Sequence, residues 1–206
     1  MVASAEGPTV KLIELSIPDL FVLESPVWGD ERGTFREWFK DEDFKEAGLE
    51  FHAQQANLSV SKKNVVRGLH YSVAPLGQAK VVTCAHGELD DVIVDIRVGS
   101  PTFGRYEIVH LASGEERSVY VPAGVAHGFC VTSELGALAY LLSSPFNAAF
   151  ELEINPFDEE IDVPWTVDGV AVVSPKDTAA PSFRERRDAK ELPLFPYSPS
   201  RADVGS

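Results

Sequence analysis

Two short segments hold most of the residues able to do chemistry. Arg67-Gly68-Leu69-His70-Tyr71 sets a guanidinium and an imidazole three residues apart, and Pro122-Ala123-Gly124-Val125-Ala126-His127-Gly128-Phe129 brings a second histidine just past a glycine turn. A guanidinium holds an anion and a neighbouring imidazole moves a proton near neutral pH, a pairing a structural core seldom needs. Arg67 and His70 lie at odd spacing on a strand-like run, so pleat geometry sends them to opposite faces unless a bulge intervenes. Gly68 offers the place for one. Lys62, Lys63 and Lys80 belong to the same stretch, and Gln55, Asn57 and Ser59 alternate on one face of the preceding run. That polar row reads either as the lining of a cavity, since buried polar groups need partners, or as an exposed sheet face. His70 and His127 likewise read either as working groups or as satisfied core histidines.

The elements that must position these groups are short strands. Val81–Cys84, Val92–Arg97, Glu107–Leu111, Val119–Pro122 and Leu138–Leu142 are apolar or alternating runs closed by glycine, proline or serine turns. Phe21–Ser25 is a further strand, leading into a turn-rich stretch from Trp28 to Gly33. A helix is expected from Asp41 to Ala47, with Asp41 as its cap and Gly48 as its stop. Strands without long intervening helical patterns favour an antiparallel sandwich or barrel over βαβ units. Residues Thr178 to Leu192 are charged and expected to be partly helical, and Ser198 to Ser206 should fray.

Composition narrows the function. At 206 residues and 44% hydrophobic content, one β-rich domain can use nearly the whole chain. The formal net charge of −14 argues against nucleic acid or an anionic membrane as partner, because both need a basic face. Any bound anion must meet a local basic cluster. Cys84 and Cys130 lie in apolar runs without metal-ligand or redox spacing and read as small core residues of a reduced protein. No positive charge precedes Lys11, and no run approaches a signal-peptide core or a membrane span, so a soluble, cytoplasmic protein is expected.

The run Pro122-x-Gly124-x-x-His127 has the form of the second motif of cupins, small jelly-roll barrels. Metal-binding cupins partner it with an earlier H-x-H and a glutamate. Here Ser72 stands two residues after His70 and the next carboxylate is Glu88. Two imidazoles supply too few ligands for an ion, so the expectation is a metal-free site without a cofactor.

Further blocks carry a closer resemblance. Asp30–Glu37, Gln55–Ser61, Val66–Tyr71, Gln78–Lys80, Asp91–Gly104, Pro122–Phe129 and Ser174–Ser182 resemble, in order and at similar spacing over about residues 10 to 195, the dTDP-4-dehydrorhamnose 3,5-epimerases. The resemblance implies an all-β, cupin-type jelly roll with a few short peripheral helices. It implies a homodimer that inverts C3 and C5 of dTDP-4-dehydro-6-deoxy-D-glucose without metal or cofactor. Matched residue by residue, it makes His70 the general base, Asp177 its carboxylate partner and Tyr140 the acid on the opposite face of the sugar. Arg67, Gln55 and Asn57 match nucleotide and diphosphate contacts. Arg32, Phe35 and Glu37 fall in a block that reaches the partner subunit's site. An α-proton leaves only if the developing enolate is stabilised, for which Lys80, and after it His127, are the candidates. The chain departs from the pattern at Phe146 and Leu152, where many members carry tyrosine and histidine. That leaves open a mono-epimerase or keto-isomerase on a related dTDP-sugar, with a non-catalytic sugar-binding cupin as a third reading.

Overall fold

The computed structural model describes residues 10–73 and 77–196, so the expected fraying of Ser198–Ser206 lies outside the described residues. Along the chain the strands are β1 (Lys11–Glu14), β2 (Phe21–Glu24), β3 (Val27–Asp30), β4 (Gly33–Arg36), β5 (Gln55–Lys62), β6 (Val66–Ser72), β7 (Lys80–His86), β8 (Glu88–Val94), β9 (Tyr106–Ala112), β10 (Arg117–Val121), β11 (Ala126–Val131), β12 (Leu135–Leu142) and β13 (Glu151–Glu153). The helices are α1 (Asp41–Glu46), α2 (Pro175–Thr178) and α3 (Phe183–Asp188). Among the described residues they form a six-stranded sheet in the order β1-β2-β10-β7-β12-β5, a five-stranded sheet in the order β13-β6-β11-β8-β9, and a separate β3-β4 hairpin. The ladders are antiparallel, and the fold is a cupin-type jelly roll.

Burial divides the molecule into layers. Val22, Val82, Val119 and Leu138 of the larger sheet pack against Leu89, Ile93, Val109 and Phe129 of the smaller one. On the outer face of the smaller sheet, Leu69, Tyr71, Val92 and Val94 are covered by Ile154, Ile161, Phe183 and Leu192 of the C-terminal segment. Leu23 and Val81 of the larger sheet are covered by Phe44 and Phe51. Central strands buried on both faces explain the continuous apolar runs at Val81–Cys84 and Val92–Val94, where alternation would mark a half-buried sheet.

Three expectations need correction. The Trp28–Gly33 stretch is not simply a turn: β3 and β4 pair Val27 with Arg36 and Asp30 with Gly33, leaving a two-residue loop at Glu31 and Arg32. Asp41 opens α1 rather than capping it. Lys40 holds the cap position without a side-chain bond, and burial of Phe44 against Phe39 and Phe51, at ring-centroid distances of 5.0 and 6.0 Å, anchors this short helix instead. The run expected to end at Arg97 leaves its ladder at Val94. Asp95 there accepts the Arg97 Nε–H at 2.9 Å and the Ser100 and Thr102 hydroxyls at 2.6 and 2.7 Å, which leaves no buried charge bare. Burial alone would raise the Asp95 carboxyl, but these donors hold it below its ordinary value. Of Thr178–Leu192, α3 forms the longer helical piece, begun by the reciprocal Ser182–Glu185 capping bonds.

The pairing of β6 with β11 matters most for the site. His127 opposes His70 and Phe129 opposes Arg67, so two steps along β11 match three along β6. The extra residue is accommodated at Gly68, whose φ of +131° is open to glycine, and the bulge returns Arg67 and His70 to one face despite their odd spacing. The strands approach so closely that a Cβ on Gly68 would lie 2.6 Å from Gly128 Cα, and one on Gly128 would lie 2.7 Å from the Arg67 carbonyl oxygen. A Gly128→Ala substitution is therefore expected to push β6 and β11 apart, at a cost of about 1–3 kcal/mol. For a chain of this size that is a fall in Tm of roughly 2–4 °C per kcal/mol by thermal melting. An unchanged Tm would show that the two backbones can separate freely.

Candidate active site

One end of the barrel opens into a cleft of about 190 Å³ lined by Asn57, His70, Gln78, Lys80, Tyr140, Leu142, Phe146, Glu151, Leu152, Glu153 and Lys176. Strand register explains the convergence. On the six-stranded sheet Tyr140 lies between Asn57 and Val82, and Leu142 lies between Gln55 and Lys80, so two adjacent rows send Asn57, Tyr140 and Lys80 inward. On the five-stranded sheet His70 is paired with His127 on one side and Glu153 on the other. The imidazole and the phenol thus approach the cleft from opposite sheets.

His70 is held by a carboxylate from outside both sheets. Its Nε2 lies 2.7 Å from Asp177 Oδ1, with the histidine side chain 39% exposed and the aspartate 6%. The Ser174-Pro175-Lys176-Asp177 sequence builds the support. Ser174 caps α2 by accepting the Asp177 backbone N–H at 3.0 Å, and Pro175 occupies the first turn, where its missing N–H costs nothing. Burial pushes the Asp177 carboxyl up. Hydrogen bonds from His70, Ser174 and the Gly68 amide, together with the charge of His70, outweigh this and hold it below the ordinary aspartate value. An ionised Asp177 accepts the Nε2–H of His70, which leaves Nδ1 as the nitrogen free to take a proton.

Lys80 is the cation at the base of the cleft. Desolvation lowers its pKa, while the charges of Glu151 and Asp91 favour the ammonium. The Ser72 hydroxyl donates to Glu151, and Lys176 Nζ lies 3.0 Å from Glu153 Oε2 at the rim.

Of the residues singled out from the sequence, the cleft gathers His70, Tyr140, Lys80 and Asn57, with Asp177 directly behind His70. Gln55 sits beside it, donating to Asn57 Oδ1 at 2.9 Å and accepting the Phe146 amide at 3.0 Å. His127 is 7% exposed and does not line the cleft; its Nε2 lies 2.7 Å from Asp91 Oδ1. Arg67 lies outside the lining, with Nε donating to Ser61 Oγ at 3.1 Å, while Arg32, paired with Asp30, and the exposed Phe35 and Glu37 lie on or just beyond the separate hairpin. Tyr71, next to the imidazole in sequence, points to the other side of the sheet, where its hydroxyl donates to the Glu191 carbonyl at 3.4 Å.

Sequence reasoning did not select Gln78, Glu151, Glu153 or Lys176 as site residues. The alternation Glu151-Leu152-Glu153 was the available signal, but three residues are too few to identify a strand by period. Among the described residues no three His, Cys, Asp or Glu side chains are grouped as metal ligands, and no helix is long and apolar enough to cross a membrane. A larger groove of about 420 Å³ beside α3 sets Asp158, Glu159, Glu160 and Glu185 against Arg184, a lining negative on balance and ill suited to an anion.

Comparison with known proteins places the whole chain. The family model for dTDP-4-dehydrorhamnose 3,5-epimerase matches residues 14–185. A dTDP-4-dehydrorhamnose 3,5-epimerase of Mycobacterium tuberculosis is 42% identical over 189 residues, covering 90% of this chain and 94% of the relative. A dTDP-4-dehydrorhamnose 3-epimerase of Streptomyces niveus is 41% identical over 187 residues, covering 90% of each. Among solved structures, a 4-keto-6-deoxy sugar epimerase from the novobiocin biosynthetic gene cluster of Streptomyces spheroides superposes with a TM-score of 0.88 at 40% identity, covering 92% of this chain and 96% of the other. The Legionella pneumophila 3,5-epimerase in complex with dTDP-4-keto-L-rhamnose superposes with a TM-score of 0.84 at 37% identity, covering 90% and 98%. Agreement of this extent in sequence and in fold places the chain in the dTDP-4-dehydrorhamnose 3,5-epimerase family.

Proposed function

We propose that the protein is an isomerase that inverts C3 and C5 of dTDP-4-dehydro-6-deoxy-D-glucose to give dTDP-4-dehydro-6-deoxy-L-mannose. The observation that carries this reading is a carboxylate-held imidazole facing a phenol across one cleft, with a half-buried lysine between the sheets. His70 Nδ1 takes the proton from the carbon beside the C4 ketone, and the bonding pair moves onto O4 as an enolate. Asp177 fixes the ring and accepts its Nε2–H throughout. Lys80 meets the negative oxygen in a site largely withdrawn from water, where a fixed positive charge counts most. Tyr140 then gives its phenolic proton to the same carbon from the opposite face, which inverts the centre. C3 and C5 flank the same ketone, so one constellation serves both after the ring turns.

A second reading, inversion at one carbon, also has support. Phe146 and Leu152 give the cleft two apolar walls, and relatives named as 3-epimerases match as well as those named as 3,5-epimerases. Incubation in heavy water separates the two, and label at both C3 and C5 is the expected result. Label at one carbon would replace the first reading with the second, and label at neither would overturn both. In the same assay His70→Ala is expected to abolish exchange while dTDP still binds. Tyr140→Phe is expected to lower inverted product about a hundred- to ten-thousand-fold, with some label entering at retained configuration. Undiminished inversion by Tyr140→Phe would remove the phenol from its role.

The cleft, at about 190 Å³, is smaller than the ~300–1,000 Å³ of sites that enclose a drug-sized ligand, so it suits the sugar better than the whole nucleotide. We infer that the remainder is held in a homodimer, with Arg32, Phe35 and Glu37 of one subunit completing the site of the other and Arg67, Gln55 and Asn57 serving the nucleotide side. In support, Trp28 and Phe35 are 44% and 65% exposed on the hairpin, and Leu58 and Val60 are 64% and 54% exposed on edge strand β5. Light scattering at micromolar concentration is expected to give a dimer; a fully active monomer would exclude completion by a partner.

A further inference from the structure

Asp91 lies wholly inside the barrel on β8, opposite Phe129, with no exposure. Its Oδ1 lies 2.7 Å from His127 Nε2, while Oδ2 has no hydrogen-bond partner among the described residues. A bare carboxylate oxygen in a dry interior is costly and is retained where it answers a charge or serves the chemistry. Nothing in the proposed proton transfers uses it. Yet Asp91 and Glu151 are the two charges that favour the ammonium of Lys80 against its desolvation.

We propose that Asp91 is a positioning residue for the reaction: one oxygen fixes the ring and tautomer of His127, and the other supplies the counter-charge of the Lys80 ammonium from the opposite sheet. The geometry gives both halves of the role. Lys80 points inward from β7 with Val82 and Cys84, and Asp91 points inward from β8 with Leu89 and Ile93, so the two face the same interior. The other titratable or charged groups facing that space are Cys84 from β7, Glu151 and Glu153 from β13, Arg67 and His70 from β6, His127 from β11, Tyr140 from β12, and Lys176 and Asp177 from α2, while β10 presents Val121 beside Lys80. Of the carboxylates, Glu153 is taken by Lys176 and Glu151 by Ser72. Asp91 is the one that is wholly buried with an oxygen no donor meets, whereas Glu151 and Glu153, each partnered through one oxygen, stand half-buried on β13. Because its charge favours protonated Lys80, removing that charge lets the lysine lose its proton at lower pH, and a neutral lysine stabilises an enolate poorly.

The kinetic half of this inference rests on the epimerase reading, and the imidazole half does not. The test is Asp91→Asn, which keeps the side-chain volume. Nitrogen-15 NMR of the unmodified protein without substrate is expected to find His127 with its proton on Nε2, facing the Asp91 carboxylate. In the variant kcat is expected to fall about ten- to a hundredfold, less than the hundred- to thousandfold typical of deleting an oxyanion donor outright. KM should stay near that of the unmodified protein, and the alkaline limb of the kcat profile should move to lower pH. An unmodified protein whose His127 carries its proton on Nδ1 would overturn the proposal. So would a variant that keeps kcat and pH profile per folded molecule, including one that only melts at lower temperature. If the unmodified protein binds dTDP but exchanges no label, the epimerase reading fails, and the tautomer measurement still decides for or against Asp91.

Discussion

The near-contact of two glycine backbones is the constraint on which the site depends. Gly68 and Gly128 allow β6 and β11 to meet where any side chain would collide, and the extra residue taken up there turns His70 inward opposite His127. Without that bulge the period of two would carry His70 to the outer face, under the C-terminal segment where Leu69 and Tyr71 pack. Asp177 depends on the same arrangement, because the imidazole it holds is the one the bulge turns inward. A local departure from strand geometry thus sets the imidazole, its carboxylate and the neighbouring His127 at once.

Electrostatics is the second organising demand. A chain with a net charge of −14 that takes an anionic sugar nucleotide must concentrate positive charge locally. It does so by setting the half-buried Lys80 in the cleft and balancing it with Glu151 and Asp91. Each imidazole in this region is tied to a carboxylate by one ring nitrogen, but the two pairs differ in access. His70 opens to the cleft and His127 is enclosed. Identical pair chemistry therefore serves two ends, with exposure alone separating the group placed to exchange protons from the group placed to hold still.

Much of this was legible in the residues. That Gln55, Asn57 and Ser59 share one face followed from alternation, though not which way that face points, and the Pro-Gly turns marked the strand ends that frame it. Gly68 was recognisable as a site for a bulge because an odd spacing had to be reconciled with a shared face. The role of Asp177 was not legible from spacing, since 107 residues separate it from His70 and only the packing of α2 on the barrel joins them; a resemblance had to point to it. The hairpin at Trp28–Gly33 was misread because its glycines and charges suggest turns, and the pairing of Val27 with Arg36 carries no apolar alternation. Lys176 and the β13 glutamates were missed because contributions of one to three residues leave no period to detect.

The proposed base and acid belong to different sheets, and this gives the hydrophobic interior a duty besides stability. Face-to-face sheets stand about 10 Å apart, a separation set by the side chains interleaved between them. Phe129, Ile93, Leu138 and Val82 fill that gap a short way along the barrel from the cleft. They act as the gauge that fixes how wide a ring fits between imidazole and phenol with a proton's reach to spare on each side. Selection on the volume of those residues is then selection on the transfer distance itself, and the core of this barrel is as much a part of its chemistry as the groups that carry the protons.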